Sequence, residues 1–197
     1  MNTISFQPWV GDAFTAAKLG KRILVLGDSH YEWNGSGKID QWTAITKTLV
    51  QEQIDGDYTK RFWTNIAIMF LNKRPTPEDK REFWHSVAFY NYLQSSAGFG
   101  PSSIPVENQW KSSEPAFLEV LSTLQPELLV VLGNRLWNHL PTEHRHPGLE
   151  VPGSPGVNTY RYTYPEGSCL ALHVRHPGRA FNGQQWHGCL MNALKVA

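Results

Sequence analysis

Two runs of near-continuous aliphatic residues, Ile23-Leu24-Val25-Leu26 and Leu128-Leu129-Val130-Val131-Leu132, constrain this chain more than any other feature. A strand with no polar alternation has no face to offer to water, so it is covered on both sides. Two further apolar runs, Val87 to Tyr90 and Cys169 to Val174, complete a set of four expected strands with Arg22 to Leu26 and Leu128 to Leu132. Helical patterns separate them, which predicts an α/β domain with three layers (α/β/α) around a short, mostly parallel central sheet. The expected helices run over Ile39 to Gln53, Tyr58 to Leu71, a stretch beginning at Thr76-Pro77, Glu114 to Leu124, and Gly183 to Lys195. Thr76 is a suitable N-cap, with Pro77 at the first helical position and Glu78 and Asp79 in the first turn. Ser95 to Pro105 and Glu143 to Pro155 read as loops from their Ser, Gly and Pro content.

At 197 residues the chain is expected to form a single domain (1–197) with a core large enough to stand without metal or disulfide. A net charge of +1 gives no global field that draws in nucleic acid. Cys169 and Cys189 have no metal spacing and are read as reduced thiols. Six of the histidines, His139, His144, His146, His173, His176 and His187, fall in two stretches of sequence without a His-Glu-x-x-His or Cys-x-x-Cys pattern, so no metal and no cofactor is expected. The first residues lack a signal peptide's basic head and apolar run, and no apolar stretch is long enough for a membrane span. No membrane partner and a cytoplasmic location are therefore expected. Of the eight tryptophans, Trp33 and Trp186 stand out because each lies near an expected strand end.

The residues just past each strand carry the functional signal. The first strand ends in Gly27-Asp28-Ser29-His30-Tyr31, the second in Asn91-Tyr92, the third in Gly133-Asn134 and the fourth in Arg175-His176-Pro177-Gly178. Ligands of open parallel sheets bind outside the carboxyl ends of the strands, where polar groups distant in sequence meet. Asp28, Ser29 and Asn134 also suit helix capping, and each taken alone reads that way.

In their order and spacing these segments resemble the uracil-DNA glycosylase superfamily over most of the chain. The resembling segments are Leu26 to Tyr31, Phe89-Tyr90-Asn91-Tyr92, Gln125-Pro126 through Gly133, and His176-Pro177-Gly178. The resemblance implies a protein that flips a deaminated or modified base out of DNA and releases it by hydrolysis. On that reading Asn91 reads the base edge, His176 stabilises charge on the departing base, and Asp28 with Ser29 orients water or the sugar. Gly27, His30, Tyr31 and Asn134 line the base site, Tyr31 limiting its size. Arg175, Pro177, Gly178, Arg179 and Phe181 face the nucleic acid, with Phe181 as a wedge and Arg179 at a phosphate. The best-known branch carries Gly-Gln-Asp-Pro-Tyr-His in its first loop; aligned on Gly27 and Tyr31, this chain has Ser29 at the Asp position and His30 at the Pro position.

Two other readings stay open. The same fold can bind a nucleic acid or nucleotide without cutting it, because fold does not fix function. Gly27-Asp28-Ser29 also resembles the first block of SGNH hydrolases, which would make Ser29 an esterase nucleophile. That family's Asp-x-x-His is replaced here by His173-Val174-Arg175-His176, and a serine nucleophile needs a base.

Overall fold

The computed structural model describes residues 3–56, 60–178 and 180–197. Among these residues seven strands form one sheet: β1 (Trp9–Val10), β2 (Ile23–Gly27), β3 (Ala88–Asn91), β4 (Leu128–Leu132), β5 (Arg145–Pro147), β6 (Thr159–Tyr164) and β7 (Gly167–Val174), in the order β1-β3-β2-β4-β7-β6-β5. The four strands expected from sequence are its centre, β3-β2-β4-β7, and each neighbouring pair among them is parallel. The expectation of a short, mostly parallel sheet is corrected at the edges. There β1 pairs antiparallel with β3, and β7, β6 and β5 form an antiparallel series, so three of the six pairings are antiparallel.

The missed strands are those not buried on both faces. Thr159–Tyr164 alternates Tyr with Thr or Arg and is mostly half-buried, with only Tyr162 enclosed. A search for aliphatic runs passes over such a strand, although its β-branched and aromatic alternation is a strand signal in its own right.

Among the described residues six helices cover both faces: α1 (Ile45–Asp55), α2 (Arg61–Leu71), α3 (Pro77–Ser86), α4 (Glu107–Leu124), α5 (Asn134–His139) and α6 (Gly183–Val196). Ile23 and Val25 of β2 point into a core built with α1, α2, α3 and α6, through residues such as Val50, Ile66, Trp84 and Leu190. Leu24 and Leu26 point the other way, into a core with α4 and α5 through Phe117, Leu121, Leu136 and Trp137. The period-two alternation of a strand distributes its side chains in this way. Thr76 caps α3 as expected, in a reciprocal pair with Asp79. The expected first helix is shorter at its start: a 3₁₀ turn at Ile39–Gln41 precedes α1, and Trp42 is exposed outside it. Tyr58, the expected start of the second helix, lies outside the described residues. The expected fourth helix begins seven residues early, at Glu107, and carries Pro115 in its interior. Among the described residues no helix is long and apolar enough to cross a membrane.

Candidate functional site at the strand ends

The parallel centre brings the carboxyl ends of β2, β3, β4 and β7 to one edge of the sheet. The order in which strands are added reverses at β2, since β3 lies on one side of it and β4 on the other. Such a switch point opens a crevice at the strand ends, the usual place for a ligand in an open α/β sheet.

Gly27 ends β2 directly beside Asn91, its partner in the β2–β3 register. A Cβ at Gly27 would overlap Asn91 Oδ1 and lie 3.0 Å from Phe89 Cζ. The glycine is therefore a condition for the Asn91 carboxamide to lie across the end of β2. The two loops then stay together, because Tyr92 N and Leu93 N donate to the carbonyls of Gly27 and Asp28 at 3.0 Å each.

Beneath Asn91 lies His30, 3% exposed and neutral, since burial pushes its pKa down to about 3. His30 Nε2 shares a hydrogen bond of 2.9 Å with Thr46 Oγ1 of α1, and Phe6 meets the ring edge-on. Asn91 Nδ2 lies 3.3 Å from both ring nitrogens. A nitrogen at that equal range would collide with ring carbon if it lay in the ring plane, so it sits over the imidazole face, an N–H···π contact. Asn91 Oδ1 takes no hydrogen bond from the described side chains.

On the other side of β2, Asp28 meets a residue that motif reading did not single out. Arg135, the second residue of α5, donates from Nε to Asp28 Oδ2 at 2.7 Å and from Nη2 to Tyr31 Oη at 3.1 Å. Its sequence signal was its place, two residues past the Gly133 that ends the β4 segment. Asp28 Oδ1 and Ser29 Oγ are buried and have no hydrogen-bond partner among the described residues. No imidazole is thus bonded to the Ser29 hydroxyl, as an esterase triad requires.

His176 follows β7 and stands against Gly133, whose φ of +108° suits glycine and whose added Cβ would lie 3.3 Å from His176 Cβ. Phe62 of α2 leans on the imidazole, with ring centroids 5.4 Å apart. Asn65, one turn along α2, donates to the carbonyls of Pro177 and Gly178 at 3.1 Å each and pins the loop. Partial burial pulls the His176 pKa below its usual value; Asp28 opposes that shift and Arg135 adds to it. The imidazole is therefore neutral at pH 7, as a hydrogen-bond donor to a leaving oxygen must be if it is not to give up a full proton.

The remaining expected site residues occupy other positions. Asn134 Oδ1 is engaged with His173 Nε2 at 3.0 Å, and His173 stacks on Trp137, so Asn134 joins α5 to β7. Arg175 is exposed. Phe181 is half-buried, its ring parallel to Trp186 at 6.4 Å, and both rest on the core under α6. Arg179 lies outside the described residues. Among the described residues no group of three or more His, Cys, Asp or Glu is placed to hold a metal ion. Two surface hollows, of about 390 and 400 Å³, lie elsewhere, beside Trp9 and Gln51 and between α4 and β6; neither includes a strand-end side chain. No protein-family model matches the chain, and no curated protein matches it at a significant level.

Proposed function

We propose that this protein is a divergent base glycosylase of the uracil-DNA glycosylase kind, acting on a deaminated or modified base in DNA. One observation carries the reading. A carboxylate (Asp28), a carboxamide (Asn91) and a neutral imidazole (His176) stand at the ends of parallel strands around the switch point at β2. These are the groups that N-glycosidic hydrolysis requires: an amide to read a base edge, a donor for the leaving base and an acceptor for water. In this reading the free Asn91 Oδ1 accepts from the base, and His176 donates to the oxygen on which charge grows as the sugar–base bond breaks. The unpaired Asp28 Oδ1 accepts from the attacking water.

Incubation with single- and double-stranded oligonucleotides carrying uracil, hypoxanthine or xanthine, followed by alkali, tests the proposal. Strand scission is expected with at least one substrate. His176→Ala and Asn91→Ala are each expected to lose about a hundred- to a thousandfold in rate, the usual cost of removing one such donor. Absence of scission at stoichiometric protein refutes the reading.

A specific observation favours a second reading, binding of a nucleic acid or nucleobase ligand without cleavage. Asp28 Oδ2 is already engaged by the Arg135 cation at 2.7 Å, a contact that suits a structural ion pair as well as a catalytic group. Binding to the same oligonucleotides with no scission, and with a steep salt dependence, selects this reading.

A further inference from the structure

We propose that Arg135 is a positioning residue that clamps Asp28 and Tyr31 into one unit and cancels the Asp28 charge where it faces His176. The clamp is two-pronged: Nε holds Asp28 Oδ2 at 2.7 Å while Nη2 holds Tyr31 Oη at 3.1 Å. A planar guanidinium does this with one side chain, because its donors diverge in a fixed fork. The two anchored residues come from the loop after β2, and the arginine from the start of α5 after β4, so the clamp spans the switch-point crevice.

Two consequences arise from that placement. Of the two carboxylate oxygens only Oδ1 is left without a partner, so Asp28 has a single acceptor to offer and a fixed direction in which to offer it. The second consequence is electrostatic. Among the described residues the charged groups that act on His176 are Asp28, from the β2 loop, and Arg135, from α5. The neighbours on α2, Phe62 and Asn65, carry no charge, and the Arg175 side chain on its own segment is exposed to solvent. An unbalanced carboxylate beside an imidazole favours the imidazolium. With Arg135 in place the carboxylate's field at His176 is offset, and the imidazole stays neutral beside an anion.

The role given to this pair rests on reading Asp28 and His176 as one site, but its test needs no substrate. The ring-proton shift of His176 is followed against pH by NMR on the full chain, with the signal assigned by its loss in His176→Gln. Arg135→Gln is expected to raise the His176 midpoint by about half a pH unit or more, and Asp28→Asn to lower it. The double variant is expected to return close to the wild type, as the sum of two opposite electrostatic shifts. A structural role alone does not give shifts of opposite sign. No shift, or a downward one, in folded Arg135→Gln overturns the proposal. If Arg135→Gln does not fold, Arg135→Lys and Asp28→Asn decide it: the lysine variant is expected to keep the wild-type midpoint and the asparagine variant to lower it, and failure of either overturns the proposal. Opposite shifts without any scission leave the clamp standing in a binding protein. Scission without the shifts leaves the glycosylase and removes the clamp.

Discussion

Gly27→Ala is the smallest change that strikes the centre of the site. The new methyl group would overlap Asn91 Oδ1 and lie 3.0 Å from Phe89 Cζ. Phe89 cannot yield, because its ring is packed against Trp63 at 4.8 Å, Trp84 at 5.9 Å and Phe62 at 6.5 Å. The carboxamide must therefore turn away, leaving its seat over His30. Overpacking of this kind costs about 1–3 kcal/mol, and the lost N–H···π contact adds about 0.5 kcal/mol. For a chain of this length about 2 kcal/mol corresponds to a fall in melting temperature of about 4–8 °C. Thermal or urea unfolding measures it. The decisive arm is Gly27→Ala/Asn91→Ala, in which the methyl has room where the carboxamide was. The double variant is expected to be more stable than the sum of the single losses allows, by about 1 kcal/mol. Additive losses, or a Gly27→Ala melt within about a degree of the wild type, would refute the claim that this glycine exists to admit Asn91.

Stability is expected to fall as pH drops below about 6.5. The unfolded chain takes up a proton on His30 near its ordinary pKa, while the buried ring resists protonation until about 3. Within that window the unfolded state binds more protons, so each unit of acidification costs about 1.4 kcal/mol from this residue alone. His173 and His176, also lowered by burial, add to the slope. Urea midpoints from pH 7 to 5 measure it, and a flat profile would show that His30 is not held neutral. Asn65→Ala removes both hydrogen bonds to the Pro177–Gly178 carbonyls, a loss of about 1–2 kcal/mol. Hydrogen exchange should quicken at Gly178 N and Phe181 N while the amides of β2 and β4 stay protected; uniform protection would mean that Asn65 does not hold the His176 loop.

The legible part of this fold was the part buried on both faces. Continuous Ile, Leu and Val in β2 and β4 identify strands without reference to anything else, and their pairing as parallel neighbours follows from the helices between them. Edge strands are set by tertiary pairing as much as by their own residues, so β5 was hidden in a stretch that read as loop and β6 lay in one given no element. The start of α4 was also missed: the helix begins at Glu107, upstream of the expected Glu114, where Gln109 accepts from Val106 N and ties Ser95 and Ser96 to the helix. The strand-end residues Gly27, Asp28, Asn91 and His176 were legible because each lies at the end of a strand that was itself legible. Arg135 was not, because its importance lies in its partners, and no spacing in the sequence announces that α5 will deliver it to Asp28.

The two halves of the site are therefore held by different physics. The His176 half is held by shape: a glycine at positive φ gives it room, Phe62 leans on the ring, and Asn65 grips the following carbonyls. Such an arrangement tolerates a change of salt, because none of its contacts is ionic. The Asp28 half is held by charge, through one cation that also reaches Tyr31. A carboxylate whose second oxygen is buried and unpaired is costly to keep, about 1–3 kcal/mol for an unmet polar group. An apolar residue in that place would carry no such cost, and Arg135 would then have no anion to meet. The cost is offset when a ligand or water donates to Oδ1, the carboxylate oxygen that the Arg135 clamp leaves unpaired.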